Sequence, residues 1–96
     1  MYTNKQTRYL RSLAHALEPV IRIGQRGVTP ALGDELEHAL LAHELLKVKI
    51  EAGDRAVRDA MIERLCESSG AHLVQRIGNV AVMYRRNEQK PKIQLP

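Results

Sequence analysis

No phenylalanine or tryptophan occurs among the 96 residues, and Tyr2, Tyr9 and Tyr84 are the only aromatic side chains. Recognition modules that stack bases on strand aromatics, such as RRM domains and many OB folds, are therefore unexpected. Cysteine is nearly missing as well. Cys66 stands alone, which rules out an internal disulfide and suits a reducing compartment. It falls on the apolar side of a helical segment with no activating charge beside it, and so reads as a structural thiol rather than a nucleophile. No apolar run approaches the roughly 20 residues that cross a bilayer, so no membrane partner is expected. The stretch MYTNKQTRYLRSLAHAL has no unbroken apolar core with a cleavage site, unlike a secretory signal. Its spaced basic residues are a weak match to a transit peptide, because its apolar positions form one helical stripe. A cytoplasmic location is expected.

Catalytic and ligand signatures are equally scarce. The only paired glycines lack the spacing of a P-loop and that of GxGxxG. His15, His38, His43 and His72 include no pair at i, i+4. His38 and His43 are five positions apart, which places them about 140° apart around a helix and makes shared metal ligation awkward. Asp34, Glu35 and Glu37 read as a solvated helical face. The expectation is a protein without catalytic residues, metal, cofactor or small-molecule substrate, acting as a monomer.

What is present begins with size and charge. A chain of 96 residues makes one domain with a modest core. Net charge is +4, but its distribution says more than its total. Residues 1–29 carry +4, residues 30–44 carry −4 with no lysine or arginine, residues 45–69 balance, and residues 70–96 carry +4 again. Such polarity favours a polyanionic partner met by one side of the molecule.

Apolar spacing predicts a helix over residues 4–17, with Thr3 and Gln6 at capping-box spacing and Leu10, Leu13, Ala14 and Leu17 as its stripe. Pro19 ends it. VIRI alternates as a short strand. Thr29 then caps a second helix with Pro30 at its first position, and Leu32, Leu36, Ala39 and Leu40 form its buried stripe. In LLKVKIE, Leu46, Val48 and Ile50 share one face, with Lys47, Lys49 and Glu51 on the other. Asp54 starts a third helix that buries Val57, Met61 and Leu65 and stops at Gly70. HLVQRI and VAVMY flank Gly78-Asn79, a hairpin signal. The basic tail, about residues 86–96, lacks periodicity and is expected to hang loose or pack only in part. The fold class is α/β (α+β), in the order α-β-α-β-α-β-β. A mixed four-stranded sheet carries helices on its apolar face.

One stretch raises a functional question. In RIGQRGVTP, the sequence GQRG stands between a strand and a capped helix. Glycines let a chain approach phosphates closely, and the helix start offers free N–H groups, as in the GxxG loop of KH domains. Spacing alone leaves a plain strand-to-helix turn open. Arg26 at the tip and the basic first helix bring a phosphate-holding loop level with it.

Three segments together carry a more specific likeness. LAHALEPVIRIGQRGVTPAL, HELLKVKI and GAHLVQRIGNVAVMYR resemble the CRM domain, the chloroplast RNA splicing and ribosome maturation family, in its bacterial single-domain YhbY-like form. The resemblance covers about residues 3–96. It implies a fold similar to the C-terminal domain of translation initiation factor three. It also implies RNA binding, with ribosomal RNA in precursors of the large ribosomal subunit as partner. On that likeness Gly24, Gln25, Arg26 and Gly27 form the RNA-contact loop, joined by Lys5, Arg8 and Arg11 of the first helix and by Arg85 and Arg86 after the last strand. The loop departs from the commonest family version in carrying Gln25-Arg26 where Lys, Ser or Asn often stands. A rival reading makes the acidic second helix, with Asp34, Glu37 and Glu44, a docking face for a basic ribosomal protein.

Overall fold

A computed structural model describes all residues, 1–96. The elements are α1 (Asn4–Ala14), β1 (Pro19–Ile23), α2 (Pro30–His43), β2 (Leu45–Ile50), α3 (Arg55–Ser69), β3 (His72–Ile77) and β4 (Val80–Tyr84). The sheet order is β1-β2-β4-β3, with β1 parallel to β2 and β4 antiparallel to both of its neighbours. The predicted element order and mixed sheet are those observed.

Local chemistry explains where the helices begin. Thr3 Oγ1 accepts from the Gln6 amide at 3.0 Å while Gln6 Oε1 accepts from the Thr3 amide at 3.1 Å, a complete capping box. Thr29 caps α2 through the Leu32 amide at 3.2 Å, and Asp54 caps α3 through the Val57 amide at 3.0 Å. Gly70 closes α3 in the left-handed conformation, φ 73°.

Three expectations about packing need correction. α1 stops at Ala14 rather than Leu17, and Leu17 is exposed. The four residues before Pro19 are used to turn the chain into β1, and Lys47 Nζ meets the freed Leu17 carbonyl at 2.9 Å. In α3, Ile62 is buried and Val57 is exposed. Val57 sits in the first turn, against Gly53, beyond the reach of the core. Helices also cover both faces of the sheet, not one. Leu46, Val48, Ile50, Ala81 and Met83 form one core with α2 and α3, whereas Leu45, Val82 and Tyr84 form a second with Leu10 and Ala14 of α1. Because β4 is buried on both sides, its run VAVMY is continuously apolar.

The tail is not loose. The carboxylate of Glu44 accepts the backbone amides of Asn87 (2.7 Å), Lys92 (2.9 Å) and Ile93 (2.7 Å). Ile93 and Leu95 pack beside the α1 core with Tyr2 and Leu13. Glu44 is fully buried and ends α2 with φ 63°. Burial would raise its pKa, but the three amide donors outweigh that and hold the carboxyl below its ordinary value.

Candidate nucleic-acid interface

Strand register sorts the loops into two ends. Ile23 pairs with Ile50, Lys49 with Val80, and Ile77 with Val80, so β1, β2 and β3 all finish at one end, the loop end. Leu45 and His72 both pair with Tyr84 at the other, the tail end.

GQRG lies at the loop end, directly after β1. The Gly27 amide donates to the Gly24 carbonyl at 3.0 Å, and the Glu51 amide donates to Ile23 at 2.8 Å, which fixes the base of the turn. Gly24, Gln25 and Arg26 are exposed. The two glycines are held there for different reasons. Gly27 has φ 69°, and a Cβ on it would lie 3.4 Å from Met61 Cε of α3, so the fold itself favours glycine. Gly24 has no such φ, and a Cβ there would meet nothing within 4 Å. The fold does not ask for glycine at position 24. α2 starts beyond it at the same end of the sheet, with its positive dipole end there; Pro30 has no N–H and the Leu32 and Gly33 amides are bonded to Thr29, which leaves Ala31 as the free amide of its first turn.

The other basic residues expected at the interface lie in two places. Lys5 and Arg8 are exposed on the α1 surface opposite Leu10 and Ala14, and Arg11 is exposed on the flank of that buried face. None of them forms an ion pair within the chain. Arg85 and Arg86 lie at the tail end and are not brought to the loop. Arg85 is also occupied: it donates to both Glu37 oxygens at 2.7 Å and to the Ser69 carbonyl at 2.8 Å. Hydrogen bonding to Arg85 holds the Glu37 carboxyl below its ordinary range, and the same bond raises Arg85. Arg86 reaches Glu88 only at 3.8 Å and stays exposed.

Sequence reasoning overlooked three arginines at the loop end. Arg55 and Arg58 stand in the first turn of α3, and Arg76 lies near the end of β3. A sequence signal existed: RAVR at residues 55–58 places two arginines at i, i+3, on one helical face, straight after a Gly-Asp turn. No cluster of His, Cys, Asp and Glu is arranged to hold a metal ion. Burial raises the Cys66 thiol, as befits a packing residue. No helix is long and apolar enough to cross a membrane.

Comparison with known proteins adds an independent line. A model of the CRS1 / YhbY (CRM) domain matches residues 2–85. A Haemophilus influenzae protein named RNA-binding protein is 42% identical over 94 residues, covering 98% of this chain and 94% of its own length. The Bacillus subtilis protein YqeI, whose name reads "Probable RNA-binding protein", is 38% identical over 96 residues and fully covers both chains. The solution structure of a hypothetical protein from Staphylococcus aureus aligns with a TM-score of 0.82 and 36% identity over the whole of both chains.

Proposed function

The chain belongs to the CRS1/YhbY (CRM) domain family, and on that premise we propose that it binds RNA by gripping the sugar–phosphate backbone at the loop end. Gly24, Gln25, Arg26 and Gly27 make the contact loop, with further positive surface away from it supplied by Lys5, Arg8 and Arg11 of α1 and, at the tail end, by Arg86. The partner is ribosomal RNA within large-subunit precursors, met in the cytoplasm by a monomer that binds without catalysing. Gly24 is the observation that carries the reading. It is a glycine for which the fold has no use, exposed as the first residue of the turn that leads from β1 toward α2. A glycine there suits a ligand that must come close to the backbone. Relatives named for RNA binding support RNA as the class of partner.

The protein-docking alternative loses its surface. Glu44 is buried beneath the tail and Glu37 is bound to Arg85, which leaves Asp34 and Glu35 as the exposed, unpaired acids of α2.

A salt titration of binding to ribosomal RNA tests the proposal. Displacing about three to five counterions gives log-affinity against log-salt slopes of roughly −2 to −4. Gly24→Ala is the informative variant. It should change stability by less than about 0.5 kcal/mol and still weaken RNA binding severalfold. A flat salt response, or wild-type binding by Gly24→Ala, would count against a phosphate-gripping loop.

A further inference from the structure

At the loop end, Arg55, Arg58, Arg76, Gly78 and Asn79 line a cleft of about 520 Å³ without a single hydrophobic residue. A site for an apolar small molecule is lined the other way. The three arginines are held differently. Arg76 is fixed at the wall, donating from Nε to the Gly78 carbonyl at 3.1 Å and pairing with Asp59. Arg58 is anchored by one bond to the Gly53 carbonyl at 2.9 Å, while its Nε is buried with no partner. Arg55 is exposed and has no ion pair in the chain. Asp54 is committed to capping α3 and Asp59 to Arg76, so positive charge and donor capacity remain in excess.

Resting on the RNA-binding reading above, we propose that this cleft holds a backbone phosphate of the RNA strand contacted by the GQRG loop. The cleft and loop share one end of the sheet: Ile50 donates to the Asn79 carbonyl at 2.8 Å and Glu51 donates to Ile23, so hairpin, β2 exit and loop base are directly joined. Arg55 is the unpaired contact, and Arg58 and Arg76 are held by the fold as a fixed rim. Guanidinium groups match phosphate oxygens in geometry as well as charge. The strand would thus be gripped at two points, by main-chain amides at the loop and by arginines at the cleft.

Binding of a single-stranded RNA oligonucleotide, measured across salt concentrations for folded variants checked by thermal melting, tests this. Arg55→Glu should weaken binding about tenfold, and Arg55→Ala by roughly threefold with a salt slope smaller by about one. Arg64→Glu makes the same charge change on the exposed surface of α3, about 13 Å further along the helix, and should stay within about twofold. Inorganic phosphate followed by amide NMR should shift Gly78, Asn79 and Arg55 in the wild type and not in Arg55→Glu. Equal losses for Arg55→Glu and Arg64→Glu, or none for Arg55→Glu, overturn the cleft. If Gly24→Ala weakens RNA binding and Arg55→Glu does not, the cleft fails and the loop reading stands. If the wild type binds no RNA yet phosphate shifts those amides, both RNA assignments fall and the cleft is a free-anion site.

Discussion

At the tail end of the sheet Arg85 is held by two bonds to Glu37 and a third to Ser69, whereas at the loop end Arg26 and Arg55 have no ion pair in the chain. The charge of Arg85 is spent inside the molecule, whereas that of Arg26 and Arg55 is left for something outside. A cation becomes a binding group only when no carboxylate of its own fold reaches it first. The difference is set by residues far apart in sequence: Glu37 and Arg85 are separated by 48 positions.

The strongest way to break this division is at Glu44. Glu44→Gln keeps the volume and backbone conformation but removes the charge that three backbone amides of the tail address, and should cost about 2–4 kcal/mol in urea unfolding. RNA affinity at the loop end should stay unchanged, and a parallel loss would show that the ends are not independent. Acid supplies the same test without mutation. The Glu44 carboxyl lies below its ordinary 4.5 in the folded protein, so its contribution is complete above that value and is lost as pH falls through the folded pKa. Glu37 is shifted the same way, and burial lowers His72, so protonating these groups disfavours the fold in each case. The stability gap between wild type and Glu44→Gln should therefore narrow below about pH 4.5.

Gly27→Asp attacks the other end. Positive φ and the nearby Met61 make a side chain costly there, by about 1–2 kcal/mol. The added charge beside the α2 start should also lower RNA affinity at least tenfold, about 1.4 kcal/mol. Folded protein that binds RNA as wild type does would reduce the loop to a turn. The smallest effect is expected from Arg85→Ala. Its pair with Glu37 is partly exposed, so the loss of stability should be no more than about 1 kcal/mol, with RNA affinity within about twofold. A large affinity loss would return Arg85 to the interface and erase the contrast between ends.

Local signals were the legible ones. Capping residues Thr3, Thr29 and Asp54, the terminating Gly70 and the alternation in LLKVKI each depend on neighbours within a few positions, and each is found as read. GQRG was visible as an exposed turn between strand and helix. What was hidden depended on distant partners. Glu44 looks like one more acid on a solvated helix, because nothing nearby announces amides from residues 87–93. VAVMY is too short to reveal that it is covered on both sides, so the second core under α1 went unread. Arg55 and Arg58 were legible as a pair, but Arg76 joins them only through the register of the hairpin.

The buried carboxylate also joins the tail to the sheet. Glu44 meets its amides across 43, 48 and 49 positions of chain. Without those residues in place its burial would leave a bare carboxylate, which costs several kcal/mol. Leu45, its immediate neighbour, belongs to the core beneath α1, where Ile93 and Leu95 of the tail also pack. Seating of the tail and closure of the α1 layer are therefore coupled through a single side chain.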